Sequence, residues 1–484
     1  MNTSIARRFK GEIERYLNQE HNRFESRIND AFTLLNIKTW LCRANIIKQD
    51  GYHAAHLLFV LTILPLLKVK TVHSFCGKFW ANWSQSQKDA FYRLKRKQSY
   101  RWRTFLHQVN LQIFKKIQLN SIPLKERYFI LDDTIFQKRG KKMENISFVR
   151  DHSAGRSVLG YCIVTLALFN EKSIYPLDFA YRFGQKRHPK SPKETMGDFR
   201  TTYGKRCFES KYCSKLELGQ MMIEQAVSKG IVPGYVLFDS WYAWPSFINS
   251  IRNVDPRVHV VCRLKQSSVQ YEYNGRFYTL GSLYQKTKAR MKKDHKTGLT
   301  MTRVTVSMPD SDEDVVIVFT KGYKEPELDE TGGKKKEKQS KWAAFLSTDT
   351  SLHASTIIKK YVRRWPIEVC FKECKQMLEL GKDQANDFQS QIAATTISFL
   401  RYNLLNYLNE TENYQTLGGF FDILTDEMAV VTYAQRLYGF FIGLFQVGIS
   451  KIFELFDLEG DFQSYVDIIT GQLGGLSPFR GCET

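Results

Sequence analysis

At 484 residues, the chain is longer than one hydrophobic core usually organises, so we expect two to four domains. A content of 43% hydrophobic and 14% aromatic residues excludes disorder for most of its length. The formal net charge of +22 predicts a polyanionic partner. Because residues 404–484 hold 11 acidic and 3 basic side chains, that partner is expected to bind the first four-fifths of the chain.

The amino-terminal residues lack the apolar run of a signal peptide. The apolar run 54–67 is too short to span a bilayer and contains His56 and Pro65. We therefore expect a cytoplasmic protein with no membrane partner. Nine irregularly spaced cysteines are typical of reduced thiols, although pairs such as Cys370 and Cys374 could help to hold zinc.

Residues 1–120 are predicted to be a helical DNA-binding domain. Within it, residues 88–116 carry nine Lys or Arg and one Asp, interleaved with aromatic residues. This pattern suits helices that pack their rings inward and lay cations along a phosphate backbone. A basic, solvated face of a helical bundle is the alternative. The arginines expected to contact DNA are Arg93, Arg96, Arg101 and Arg103.

From about residue 121 the pattern changes to strands. The segment YFILDDTIF (128–136) is β-rich and contains Asp132 and Asp133. Two further β-rich runs, 157–169 and 173–184, can pair in sequence as an antiparallel meander. The first strand of the predicted sheet therefore carries two adjacent carboxylates.

A second candidate carboxylate lies in the segment that follows a helical pattern at 216–229. There the segment GYVLFDSWYAW (234–244) predicts a short apolar strand that ends at Asp239. A carboxylate just past a buried strand is a common position for chemistry in α/β sheets. It can equally cap the following helix, so the strand end alone does not decide its role.

A third candidate carboxylate lies in residues 361–375, YVRRWPIEVCFKECK. On a helix that advances about 100° per residue, five side chains of this segment fall in one stripe. They are Tyr361, Arg364, Glu368, Lys372 and Lys375. A carboxylate among cations and a phenol suits a site that handles a metal and a phosphate. The alternative is a surface helix with ion pairs at (i, i+4) spacing, such as Glu368 with Lys372.

Carboxylates in three separate contexts suit phosphoryl transfer with two metal ions. Hard oxygen ligands hold Mg²⁺ or Mn²⁺ ions about 3.5–4 Å apart in such sites. One ion activates the attacking water or hydroxyl, while the other stabilises the leaving oxygen. No histidine base is then required.

Three motifs together resemble a known signature: Tyr-x2-Arg-x3-Glu-x6-Lys, the Asp-Asp-Thr strand and the Phe-Asp-Ser-Trp-Tyr strand end. The resemblance is to bacterial insertion-sequence transposases of the DDE type, in particular the cut-and-paste group with the YREK motif. It implies an α/β protein whose RNase H-like core, residues 121–266 and 346–410, is interrupted by a mostly β insertion at 267–345. The helical regions 1–120 and 411–484 would flank this core.

The resemblance also implies roles for single residues. Asp133, Asp239 and Glu368 would be the catalytic and metal-binding carboxylates. Asp133 is chosen over Asp132 because family members are expected to place this aspartate immediately before a threonine. Pro366 departs from a continuous helix, since a proline either kinks a helix or begins a new one.

Further residues would contact DNA. Tyr361, Arg364 and Lys375 match positions that hold phosphates next to the cleaved end, and Lys372 matches a further basic position. Trp342 would stack on a base that is flipped out of the transposon end. A core tryptophan in an edge strand is the alternative for Trp342.

The predicted function is therefore Mg²⁺-dependent cleavage of transposon ends, followed by attack of the 3′-hydroxyl on the opposite strand or on target DNA. We expect a homodimer in the DNA complex, with the acidic region 411–484 suited to contacts between protomers, and no nucleotide cofactor. A nucleoid location in a bacterial cell would follow. Two alternatives stay open: an RNase H-like nuclease that never joins DNA, and a transposase-derived repressor with an inactive site.

Overall fold

The computed structural model describes residues 27–83, 86–151, 155–192, 197–295, 297–311, 313–323, 342–412, 414 and 416–456. These residues form two compact units. One unit is built from described parts of 1–100 and 411–484, and the other from described parts of 101–410. All three predicted catalytic carboxylates lie in the second unit.

The first unit begins with five helices: α1 (Arg27–Leu34), α2 (Ile37–Arg43), α3 (Ala54–Ile63), α4 (Val72–Trp83) and α5 (Lys88–Arg96). All ten side chains of α3 are buried, as expected for a helix that is apolar on every side. Within the described part of the chain, no helix combines the length and the apolar character needed to cross a membrane.

The second unit begins with a helix and five strands: α6 (Trp102–Lys116), β1 (Tyr128–Gln137), β2 (Ser147–Asp151), β3 (Arg156–Phe169), β4 (Ile174–Arg182) and β5 (Lys186–Arg187). Strand β3 pairs antiparallel with both β1 and β4, which confirms the predicted meander. The last ten residues of β3 are all buried, because the sheet is covered on both faces at this point.

Helical connections then add two parallel strands to β1. Helices α7 (Thr202–Tyr212) and α8 (Lys215–Ser228) precede β6 (Tyr235–Phe238), and α9 (Pro245–Val254) precedes β7 (His259–Leu264). Strand β6 pairs in parallel with β1 and with β7. The carboxyl ends of these three strands therefore lie at the same edge of the sheet.

The sheet continues beyond β7 with β8 (Gln270–Tyr273), β9 (Arg276–Thr279), α10 (Leu280–Thr287), β10 (Lys292–Lys293), β11 (Thr300–Ser307), β12 (Asp314–Lys321) and β13 (Ala343–Ser347). The described strands follow the order β5-β2-β3-β1-β6-β7-β13-β12-β11-β8-β9, with β4 beside β3 and β10 beside β11. The hairpin between β8 and β9 turns at Asn274 and Gly275, whose φ angles of 51° and 71° suit a two-residue turn. The protein is thus a mixed α/β protein with one large sheet and many helices.

Four helices complete the described chain: α11 (Ala354–Val362), α12 (Pro366–Met377), α13 (Phe388–Glu412) and α14 (Leu417–Phe456). The stripe 361–375 is not one helix, because α11 ends at Val362 and α12 begins at Pro366. A proline fits this first position, where the helix needs no amide donor. Tyr361 and Glu368 therefore belong to different helices, and Arg364 lies in the turn between them.

Candidate active site

The pleat of β1 decides which of its two adjacent aspartates faces the predicted glutamate. Asp132 Oδ2 accepts a hydrogen bond of 2.9 Å from Nη1 of Arg364. Nη2 of the same guanidinium donates to Oε1 of Glu368, and the Arg364 side chain is only 7% exposed. A single buried arginine therefore joins the carboxylates of Asp132 and Glu368 through charge-assisted hydrogen bonds.

A lysine contacts the same side of β1 two residues further along. Thr134 has the same orientation as Asp132 because side chains alternate along a strand. Its hydroxyl accepts a 2.8 Å hydrogen bond from Nζ of Lys375 on α12. We call this group the carboxylate face and define it as Asp132, Thr134, Arg364, Glu368 and Lys375.

Asp239 lies at the end of the strand next to β1. The last registered pair of β1 and β6 is Leu131 with Phe238, so Asp132 and Asp239 each stand one residue beyond it. Both residues therefore lie at the same edge of the sheet, where the parallel strands end.

Asp133 points to the opposite side of the sheet, toward α8. Its Oδ2 accepts a 2.7 Å hydrogen bond from Nζ of Lys215, and its Oδ1 accepts one of 2.8 Å from the hydroxyl of Tyr242. Cys162 Sγ lies 3.4 Å from the same carboxylate. This corrects the expectation that Asp133 would join Glu368, because a one-residue step along a strand reverses the side that a side chain faces.

The carboxyl group of Asp132 is strongly perturbed. Burial raises its pKa to about 7, and the negative charges of Asp133 and Glu368 act in the same direction. The positive charge of Arg364 opposes this rise without cancelling it. The raised pKa of Asp132 therefore comes mainly from its burial, since Arg364 and Lys375 match the two carboxylates of the carboxylate face in number.

This raised pKa predicts a pH-dependent stability. Below the unfolded pKa of about 3.9, the contribution of Asp132 to stability is fully present, and it is lost as pH rises through about 7. The free energy of unfolding of the wild type, relative to Asp132→Asn, should thus fall by up to ~1.4 kcal/mol per pH unit over this window. Urea unfolding of both proteins across the window checks this, and a pH-independent difference would contradict it.

Two members of the predicted stripe, Tyr361 and Lys372, are not part of the carboxylate face, although the Tyr361 ring centroid lies 5.8 Å from the Arg364 guanidinium. The Tyr361 side chain is 1% exposed, and its ring centroid lies 4.9 Å from that of Phe345. A phosphate cannot reach a ring buried in this way, which corrects the predicted phosphate contact of Tyr361. Lys372 is half-buried on α12, and its role as a basic position remains a prediction.

Trp342 packs within the protein immediately before β13. Its ring stacks on that of Tyr284, with centroids 4.4 Å apart and an interplanar angle of 15°, and Phe319 contacts it edge-on at 5.6 Å. The residue is half-buried. Since one ring face is already occupied, this arrangement favours a packing role, although β13 is paired on both sides and is not an edge strand.

The four amino-terminal arginines divide into two groups. Arg93, Arg96 and Arg101 are exposed. Arg103 instead donates to Asp178 at 2.6 Å and to Glu209 at 3.4 Å, and its side chain is 13% exposed. This corrects the predicted DNA contact of Arg103, because its guanidinium is part of an interior ion-pair network.

The carboxylates match the donor chemistry of a divalent metal site. Asp132, Asp239 and Glu368 offer oxygen ligands of the kind that Mg²⁺ and Mn²⁺ prefer. Arg364 already holds a positive charge between two of them. Among the described residues, no three His, Cys, Asp or Glu side chains are grouped closely enough to hold a metal ion. These residues therefore fit a divalent metal ion in the chemical type of their ligand atoms, and not in a cluster that is already assembled.

Two polar residues near β1 were not predicted from the sequence. Nothing in the sequence marked Lys215 as a functional residue, because lysines at the start of a helix are common on protein surfaces. Tyr242 belongs to the Phe-Asp-Ser-Trp-Tyr motif, but that motif drew attention to Asp239 alone. Their contact with Asp133 could be recognised only when α8 and the loop after β6 were placed against β1.

Two protein families match parts of the chain. Residues 70–279 match a family described as DDE superfamily endonuclease, and residues 209–404 match one described as transposase DDE domain. Both matches support a DDE transposase, and DDE transposase families generally use divalent metal ions. No curated protein matches the sequence. The chain is similar to a piggyBac transposase in a synaptic complex with hairpin DNA, at 11% identity and a TM-score of 0.46, over 84% of this chain and 81% of that one.

Proposed function

We propose that this protein is a cut-and-paste DNA transposase that cleaves the ends of its element and joins the freed 3′-hydroxyl to target DNA. The observation that carries the proposal is the pairing of Asp132 with Glu368 through Arg364. Asp239 directly follows the neighbouring strand β6 at the same edge of the sheet. The two family matches overlap this part of the chain.

An RNase H-like core is the fold we propose for the catalytic centre. Its support is the antiparallel meander of β1, β3 and β4, which continues into the parallel strands β6 and β7. Strands β8 to β13 all lie between Asp239 and Glu368 in sequence and extend the sheet on one side. We propose that they are the β insertion.

Asp132, Asp239 and Glu368 are the proposed catalytic carboxylates, with Asp132 in place of Asp133. They would hold the Mg²⁺ or Mn²⁺ ions. When bound, the metal would activate water or a 3′-hydroxyl and stabilise the leaving oxygen.

The chain's own cations have separate tasks in this proposal. Arg364 orients the carboxylates of Asp132 and Glu368, since its planar guanidinium contacts both. Lys375 stands at the edge of the carboxylate face, where its ammonium group would offset the charge of a phosphate near the scissile bond. Exposed Arg93, Arg96 and Arg101 would contact the DNA backbone further away.

A homodimer is proposed on the basis of α14. Six exposed apolar side chains on this helix recur at alternating spacings of three and four, as in the seam of a coiled coil. They are Val430, Tyr433, Leu437, Phe440, Leu444 and Val447. Because such a seam is self-complementary, a second copy of α14 is the partner that it fits, which brings two active sites to two DNA ends.

Charge on the seam should prevent this association. We expect the double variant Leu437→Glu and Leu444→Glu to bind end DNA as one chain, where the wild type binds as two, because buried like charges oppose pairing. Light scattering coupled to gel filtration measures the mass of the complex. Leu437→Met combined with Leu444→Met, which keeps the seam apolar, is the matched control and should bind as two chains. A double variant that still binds as two chains would exclude α14 as the interface.

The direct test of function uses the full-length protein, Mg²⁺ and the DNA that flanks its reading frame. We expect cleavage at inverted repeats, followed by joined products, and neither product with Glu368→Gln. Cleavage without joining would favour a nuclease instead. A wild-type protein that binds this DNA without cutting it would support a repressor and overturn the proposal.

A further inference from the structure

A second basic site lies on the α8 side of the sheet. A cavity of about 760 Å³ opens there beside Cys162 of β3, whose thiol contacts Asp133 and not the carboxylate face. Four cations are among the described residues that line it, and none of those lining residues is Asp or Glu. The cations are Arg150, Arg182, Lys186 and Lys215. The charge of the cavity wall therefore favours an anionic ligand.

The cavity wall also presents an aromatic ring. Trp241 is 37% exposed, and Nζ of Lys215 lies 4.8 Å from its ring centroid. Lys215 is paired beneath the ring with Asp133, so its position is set by the protein. An indole held in this way offers a π surface on which a base can stack.

The cations differ in how firmly they are fixed. Arg182 donates to the backbone carbonyls of Phe183, Ser210 and Lys211, which holds its guanidinium against the wall. Arg150 and Lys186 are exposed. Long exposed cations around a fixed ring can follow a flexible chain of phosphates.

We infer that this cavity binds a single-stranded segment of DNA, with one base stacked on Trp241 and phosphates contacted by Arg150 and Lys186. The volume is that of a small-ligand pocket, which admits one or two nucleotides and no duplex. A basic groove combined with stacking aromatic rings is the usual chemistry of single-strand binding. The inference rests on the proposed function in so far as DNA is the substrate.

The cavity is linked to the active site through one short loop. Trp241 follows Asp239 by two residues. A nucleotide stacked on Trp241 would therefore belong to DNA whose neighbouring phosphates lie at the carboxyl ends of β1 and β6. The cavity would hold an unpaired strand close to the point of cleavage.

The test is the binding of a fluorescein-labelled thymidine 12-mer to the full-length protein, measured by fluorescence anisotropy without Mg²⁺. Loss of one stacked base costs roughly 1–3 kcal/mol, so Trp241→Ala should raise the Kd about tenfold or more. Trp241→Phe should retain most of the affinity, and binding of a 12-base-pair duplex should change by less than about twofold. Trp244→Ala is the matched control, since Trp244 is 42% exposed and is not among the residues that line the cavity.

A second variant tests the phosphate contacts independently of the ring. Arg150→Ala combined with Lys186→Ala changes two exposed side chains, so folding should be unaffected. The slope of log Kd against log salt for the 12-mer should fall by about 1.4, or roughly 0.7 for each phosphate contact. An unchanged slope, or equal binding by Trp241→Ala and the wild type, overturns the inference.

The outcome is separate from that of the cleavage test. Binding is measured without metal and without a reaction. A wild-type protein that fails to cut DNA but binds the 12-mer through Trp241 would overturn the transposase proposal alone. A protein that cuts DNA but binds the 12-mer independently of Trp241 would overturn only the inference that the cavity binds single-stranded DNA.

Discussion

Asp132→Asn is expected to lower the rate of DNA-end cleavage about a thousandfold, whereas Asp133→Asn should keep it within about tenfold of the wild type. Asparagine preserves the size of the side chain and removes its charge, so the variant loses an anion without opening a cavity. Removing one preorganised electrostatic group typically costs about 10²–10³ in rate, and loss of a metal ligand should be at the upper end. Initial rates on one end DNA in Mg²⁺ measure the effect.

Asp133→Asn should act on stability instead. Lys215 loses its anionic partner, while Tyr242 can still donate to the amide oxygen. The side chains of Lys215 and Asp133 are 22% and 20% exposed, so water compensates part of the loss and we expect about 1–2 kcal/mol. If Asp133→Asn abolished cleavage while Asp132→Asn did not, the assignment made from the pleat of β1 would be wrong.

Arg103→Ala is expected to destabilise the protein by about 3–5 kcal/mol, because it leaves a buried carboxylate without its main partner. Asp178 is 1% exposed, and although burial would raise its pKa, Arg103, His107 and Arg206 together hold it below its usual range. After the substitution, Asp178 keeps the backbone N–H of Phe179 at 2.8 Å, His107 at 3.5 Å and Arg206 at 3.8 Å as partners. Urea unfolding measures the change.

The neighbouring Arg101 supplies the matched control. It is exposed, so Arg101→Ala should change the free energy of unfolding by less than about 0.5 kcal/mol. We expect it to weaken DNA binding and to flatten its salt dependence. If Arg103→Ala left the stability unchanged and weakened DNA binding, the original prediction of a phosphate contact would stand.

Much of the chain could be predicted from local pattern. Alternating and continuous apolar runs predicted the meander of β1, β3 and β4, and Asn274–Gly275 predicted the turn between β8 and β9. For Glu368, the sequence suggested an (i, i+4) ion pair with Lys372, whereas the structure pairs Glu368 with Arg364. These features depend on residues close in sequence, where helix and strand periods determine which side chains meet.

Charge and composition likewise predicted a large basic protein with several domains, but not which cations reach solvent. Arg101 and Arg103 are two residues apart on one basic segment, but Arg101 is exposed and Arg103 forms an interior ion pair. The difference is made by Asp178 on β4 and Glu209 on α7, which lie 75 and 106 residues away in sequence. No local pattern contains that information.

The sequence by itself placed carboxylates at 132–133, 239 and 368 in three separate segments, and it left open whether Pro366 kinks a helix or begins a new one. Only the tertiary structure decided that Asp132 faces Glu368 and that Asp133 faces Lys215. Strand alternation guarantees that two adjacent aspartates point to opposite sides, but it does not say which side each one takes. That choice was made by α12 packing on one side of β1 and α8 on the other, through contacts between residues far apart in the chain.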